Sequence, residues 1–208
     1  MTVRDTRPAP GVGQAPRKLA TLQAFVNTLD LEEGTDQLAS PAALASWLAD
    51  AGLAAPDAAA SQAELDQAIT LRAALRGVLR SHVSHPPAAD AGEPASRLHS
   101  IAARLPAGIA VDSHGQITAV PAGTGTAAAL TRILLIAAEA ATLGTWTRLK
   151  ACSADDCQWA FYDRSPARTG CWCSMQICGA RSKSRAYRRR AAAQAKQQTS
   201  PAAGHHSA

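Results

Sequence analysis

Apolar side chains at Leu19, Leu22, Phe25, Val26 and Leu29 recur at helical spacing and predict a first amphipathic helix. Glu33-Gly34 is its expected end, because glycine accepts the left-handed backbone of a C-cap. Leu44, Trp47 and Leu48 mark a second helix, with Ser40 as N-cap, Pro41 in the first turn and Gly52 beyond the end. A third runs through Leu65, Ile69, Leu71, Leu75, Val78 and Leu79. The three-residue offset from Ser61 to Glu64 fits a capping box, and Pro86-Pro87 stops the helix.

The Pro/Ala/Gly-rich residues 86–96 read as a mobile loop, followed by a short helix from Ala95 to Leu105. Two alternating β-prone runs between Gly108 and Val120 flank Asp112-Ser113-His114-Gly115 and predict a hairpin. The next stretch, Thr126 to Leu143, is apolar nearly all round, which suits a helix buried at the centre of an N-terminal domain. Gly144 closes it, and Trp146 leads into a different kind of sequence without a long linker, so close packing is expected.

The fold class that follows is mainly α with one small β-hairpin: a helical N-terminal domain, then a small C-terminal finger holding four paired cysteines, and a basic helix. The expected divisions are a disordered leader over 1–16, the helical domain over 17–145, the finger with its basic helix over 146–195, and a disordered tail over 196–208. His205-His206 in that tail is too short and too terminal to argue a metal site.

Charge sharpens the division. Of the 208 residues, 1–147 carry ten Lys/Arg against thirteen Asp/Glu, whereas 148–208 carry eleven against three. The net +5 therefore belongs to the C-terminal part, and a single-sign field confined to one module points to an anionic partner, nucleic acid first. Met1–Pro16 lacks the apolar core of a signal peptide, and the longest apolar run, Ile133 to Ala138, is far too short to span a bilayer. The expected setting is the cytoplasm, with no membrane partner.

All five cysteines fall between 152 and 178. Cys152 and Cys157 form one pair with four residues between them, and Cys173 and Cys178 form another with the same spacing. Two short loops each donating two thiolates are the usual way a small chain supplies a tetrahedral metal, so one structural Zn2+ is expected here. Disulfides or buried apolar cysteines are the alternatives; a reducing compartment and a segment too small for its own core weigh against them. Four protein ligands leave no open position for water, so no catalytic residue is expected. Cys171 is left over, either a spare cysteine or a redox thiol made reactive by basic neighbours.

Beyond Cys178, Arg181, Lys183, Arg185, Arg188, Arg189 and Arg190 are separated only by Ser, Ala and Tyr. On a helix Arg181, Arg185 and Arg188 share one face. A cationic helix anchored by a metal suits a nucleic-acid groove, where phosphate contacts supply most of the affinity.

The stretch resembles the CGNR zinc-finger proteins of bacteria. The likeness rests on Arg148-Leu149-Lys150 before Cys152, on Trp159, Phe161, Asp163 and Ser165 after Cys157, on Trp172-Cys173-Ser174-Met175, and on Cys178-Gly179 with Arg181 and Lys183. Similar proteins carry an N-terminal ABATE domain, whose opening Phe25-Val26-Asn27-Thr28 and Gly34-Thr35-Asp36 resemble. Two positions depart from the pattern: Ala180 stands where the name motif has asparagine, and Cys171 where an arginine commonly precedes Trp-Cys-Ser-Met.

The resemblance implies a stress-related, zinc-dependent DNA-binding transcription regulator that is not an enzyme. Its N-terminal domain would sense a small-molecule ligand or stress signal, or form a homodimer. The alternative is a zinc-stabilised protein-interaction adaptor with only non-specific nucleic-acid binding. Within 17–145 no phosphate loop, metal motif or nucleophile elbow stands out. His82 and His85 read as an exposed helix end, and Asp30, Glu32, Glu33 and Asp36 as an acidic helix terminus and loop.

Overall fold

Helix α1, Leu19–Val26, buries Leu22, Phe25 and Val26 completely and then stops, well before Glu33-Gly34. Its last carbonyls find partners outside the helix, which is why it ends there. Thr28 Oγ1 donates to the Phe25 carbonyl at 2.7 Å, and Arg76 Nη2 donates to the carbonyls of Val26 and Leu29, both at 2.6 Å. Leu29, expected on the helix, instead opens a two-residue ladder in which β1 (Leu29–Asp30) pairs antiparallel with β2 (Thr35–Asp36). Gly34 takes φ +66° in the connecting turn, and Asp30 Oδ1 accepts from the N–H groups of Glu32 and Glu33. Asp36 is no free acid either: Arg72 grips it bidentately at 2.6 and 2.7 Å, and that guanidinium holds its pKa below the usual carboxylate value.

The computed structural model describes residues 13–16, 18–83 and 92–198. Most of the expected leader, 1–12, lies outside them, as do His85 and the tail from 199 with its His205-His206 pair. Residues 13–16, expected to be disordered, are docked: Ala15 is buried, and the Gln23 amide bonds the Ala15 N–H and the Gly13 carbonyl.

Helix α2, Pro41–Asp50, is capped by Ser40 Oγ, which accepts from Ala43 N at 3.2 Å. Helix α3, Gln62–Ser81, starts with both halves of the Ser61–Glu64 capping box formed. Helix α4, Gly92–Ala102, begins earlier and ends earlier than its sequence suggested, converting the end of the supposed loop into helix. It lies so close to α3 that a Cβ at Gly77 would come within 2.6 Å of Pro94 Cβ. The rest of the predicted loop, 86–91, is outside the described residues.

The hairpin forms as expected, with β3 (Ala107–Val111) antiparallel to β4 (Ile117–Pro121). Asp112 Oδ1 accepts from His114 N and Gln116 N to make its turn. Helix α5, Gly125–Thr142, packs against α1, α2, α3 and β4, occupying the centre that its sequence foretold. By length and a mean hydropathy of 1.2 it would also be apolar enough to cross a membrane; its buried Ala129, Leu130 and Ile133 belong to the shared core instead.

A third ladder, β5 (Leu149–Ala151) with β6 (Ala160–Tyr162), follows a 3-10 turn at Trp146–Arg148. All six of its residues are buried, β5 against α3 and β6 against α1. By packing, the chain divides into a unit of Pro8–Cys173 and a second containing Ser174–Ala208. In the second, a one-turn π-helical segment, Met175–Gly179, runs directly into helix α6, Ala180–Gln198.

Candidate metal centre and basic helix

Leaving β5, the chain turns back on itself between Cys152 and Cys157. Cys152 N donates to the Trp159 carbonyl at 3.0 Å, Cys157 N to the Ala154 carbonyl at 3.0 Å, and Gln158 adopts φ +51° to complete the reversal. Ser153 N donates to the Cys171 carbonyl at 2.9 Å, bringing the approach to Cys173 alongside. Cys157 Sγ and Cys173 Sγ are 3.6 Å apart. Cys178 is carried by the π-helical turn, whose wide ring closes with Gly179 N donating to the Ser174 carbonyl at 3.0 Å.

The four sulfurs of Cys152, Cys157, Cys173 and Cys178 all lie within 4.8 Å of one another. Four thiolates around zinc at about 2.3 Å would stand about 3.8 Å apart, so the donor set fits a tetrahedral thiolate metal. The charge pattern agrees. Cys152, drawing hydrogen bonds from the thiols of Cys157 and Cys173 and from the N–H groups of Cys173 and Ala154, is pulled down to about 2. Cys157 and Cys173, next to that thiolate and out of water, are pushed well above the usual thiol range. Without a cation such a cluster can carry little more than one negative charge; a divalent metal lets all four ionise.

Cys171 is not among the four sulfurs, and none of the five cysteines forms a disulfide. Burial pushes the Cys171 thiol up, overcoming the pull of the Lys150 charge. That direction is opposite to the lowering by basic neighbours on which the redox-thiol alternative rests.

Beside the sulfurs lies a buried ion pair. Lys150, 1% exposed, donates through Nζ to Asp163 Oδ2 at 2.9 Å and to the carbonyls of Arg168 and Gly170. Asp163 also accepts from Ser165 N, Ser165 Oγ and Gly170 N. Burial alone would raise its pKa; these donors outweigh that and hold it well below the carboxylate range. Arg148 Nη1 bonds the carbonyls of Asp163 and Ser165, each at 3.0 Å. Arg148, Lys150, Asp163 and Ser165 are thus a clamp that fixes the loop leading to Cys171 and Cys173, a role their sequence positions did not reveal. A lysine two positions before Cys152 and an aspartate six positions after Cys157 were the available signal.

The helical domain reaches the same strands. Gln23 on α1 and Asn27 at its C-cap hydrogen-bond the backbone of Ala160, and Tyr162 N donates to the Gly13 carbonyl. Arg80 pairs with Asp155 at 2.7 Å. His82 corrects the reading of an exposed helix end: its ring stands edge-on to Trp146, and Nδ1 donates to the Leu149 carbonyl at 2.8 Å. Burial holds its pKa below the usual value.

On α6, Lys183, Arg185, Arg188, Arg189 and Arg190 are exposed, while Arg181 is half-buried and sends Nη2 to Cys178 Sγ at 3.3 Å. A groove of about 480 Å³ along one side is lined by Gln176, Ile177, Ala180, Arg181, Ser184, Arg185 and Arg188. Two family models match the chain. One, ABATE, described as a putative stress-induced transcription regulator, covers residues 19–145. The other, the CGNR zinc finger, covers 148–191.

The chain belongs to the ABATE family and carries a CGNR zinc finger.

No curated protein matches its sequence. In this ABATE protein the thiolate set is complete, and the Zn2+ it takes is structural, with every coordination position filled by sulfur. Ala180, at the asparagine position of the CGNR motif, is exposed at the start of α6 and presents a methyl group to the basic groove. Neither it nor Cys171 removes a ligand.

Proposed function

We propose that this ABATE protein is a zinc-dependent DNA-binding transcription regulator acting in the cytoplasm on the nucleoid, without enzymatic activity of its own. The observation that carries the reading is α6. A helix bearing Lys183, Arg185, Arg188, Arg189 and Arg190, all exposed, starts two residues after a metal ligand. Metal binding then fixes the direction of the helix, and arginine forks along it offer bidentate contacts to phosphate.

Two features of the helical domain support a regulatory role. A groove of about 730 Å³ lined by Thr21, Leu53, Val120, Arg132, Leu135 and Ile136 is of a size for a small ligand. Ile109, Val111 and Ile117, between 64% and 70% exposed, share one face of the hairpin and suit a homodimer contact.

The test is duplex-DNA binding by the zinc-loaded full chain across a salt series, with the double variant Arg185→Glu/Arg188→Glu alongside. Affinity should fall steeply with salt, and the double variant should lose binding to every sequence. Parental binding by that variant would sink the reading. Salt-sensitive binding with no sequence preference would favour the adaptor alternative.

A further inference from the structure

Arg181 heads the basic run in sequence, yet it is set apart from the other cations of α6. Lys183, Arg185, Arg188, Arg189 and Arg190 are exposed, whereas Arg181 is half-buried and its Nε is wholly shielded from water. Its Nη2 lies 3.3 Å from the sulfur of Cys178, a ligand only 1% exposed. A planar guanidinium one helical turn after the ligand is well placed for this, because side chains three apart on a helix face each other.

Four thiolates on one divalent cation leave a net charge of −2 in a largely dry site. Such a centre is stabilised by N–H groups directed at sulfur, which withdraw charge from the metal ligand and hold its lone pairs in place. Backbone donors serve Cys152 in this way, from Ala154 and Cys173, and Cys157 from Trp159. Arg181 supplies Cys178 with a charged one. The helical domain adds a further cation, since the buried Arg76 lies within the electrostatic reach of Cys157.

We infer that Arg181 is a positioning residue of the metal centre: its guanidinium hydrogen-bonds the Cys178 thiolate, neutralises part of the centre's charge and slows metal loss, rather than contacting nucleic acid. Of Arg181, Lys183, Arg185, Arg188, Arg189 and Arg190, Arg181 is the half-buried one, and it reaches back one turn to the sulfur of Cys178.

The test uses the full chain loaded with Co2+, whose sulfur-to-metal charge-transfer band reports the electron density on the thiolates. Arg181→Met should move that band to lower energy, because a sulfur stripped of its donor gives up an electron more easily. The d–d bands of a four-sulfur tetrahedron should stay in place, and affinity in chelator competition should fall about 10-fold or more. Arg181→Lys, which keeps the charge, should fall between the two. If Arg181→Met loads no cobalt, the lysine variant decides alone: a shifted band supports the inference and an unshifted one overturns it. An unchanged band and unchanged affinity in a loaded Arg181→Met protein would likewise overturn it. No nucleic acid enters the measurement, so its outcome is separate from that of the DNA-binding reading.

Discussion

The side-chain amide of Asn27 closes both backbone groups of Ala160, with Nδ2 donating to the carbonyl at 2.9 Å and Oδ1 accepting from the N–H at 2.7 Å. Strand β6 is paired on its other edge with β5, so the amide stands where a third strand would. Together with the bond from Tyr162 N to the Gly13 carbonyl, it leaves the buried edge satisfied.

Asn27→Ala should therefore destabilise the zinc-loaded protein by about 2 kcal/mol, the cost of a buried N–H left without a partner. Gln23 still reaches the Ala160 carbonyl at 3.0 Å, which keeps the loss from being larger. Urea unfolding of the variant beside the parent measures it, and an unchanged midpoint would show that the edge is closed some other way.

Lys150→Met should cost about 3–5 kcal/mol, because it leaves a buried carboxylate without its counter-charge. The carbonyls of Arg168 and Gly170 lose a donor in the same step. Adding Asp163→Asn should recover part of the loss, since the new amide carries no charge and its one oxygen can still accept from Ser165, although its NH2 then faces the Gly170 N–H. Thermal melts of the two variants give the order; a double variant less stable than Lys150→Met would contradict it.

His82 gives the protein a pH dependence of definite sign. Burial, more than the Lys150 charge, depresses its folded-state pKa, while the bond to the Leu149 carbonyl opposes the shift. Below the ordinary histidine value of about 6.5 the unfolded chain takes up a proton that the folded ring resists, so stability falls as pH drops through that range. The loss levels off once pH passes the lower folded-state value. Denaturant midpoints between neutral and mildly acid pH should fall more steeply for the parent than for His82→Gln. Acid also weakens metal binding, but it does so in both proteins and cancels in the comparison.

Local chemistry was readable from sequence wherever both partners were near in the chain. The Ser61–Glu64 capping box, the Ser40 cap, the Asp112 turn and the two cysteine pairs are of this kind. The misreadings all have remote causes. Leu29 continued the apolar period of α1, but the helix is cut by an arginine 47 residues away that takes its carbonyl. Gly13–Pro16 resembled a loose leader because the Tyr162 and Gln23 groups that hold it do not show in a composition count. His82 sat before prolines and looked exposed until Trp146 and Leu149 closed over it. Lys150 and Asp163 were visible as residues of a motif, but only their distance makes them a pair. The bond from Arg181 to Cys178 Sγ was also beyond reach, since spacing cannot say which way a guanidinium turns.

Family comparison places its boundary between residues 145 and 148, yet β5 and β6 fall on one side of that line and the groups that complete them on the other. A recombination event that carried residues 148–191 into another gene would leave behind the Asn27 amide, the Gly13 carbonyl and the apolar faces of α1 and α3. The transplanted cysteines would arrive with an open sheet edge. In this chain, exchange of either part alone would therefore leave a buried sheet edge open.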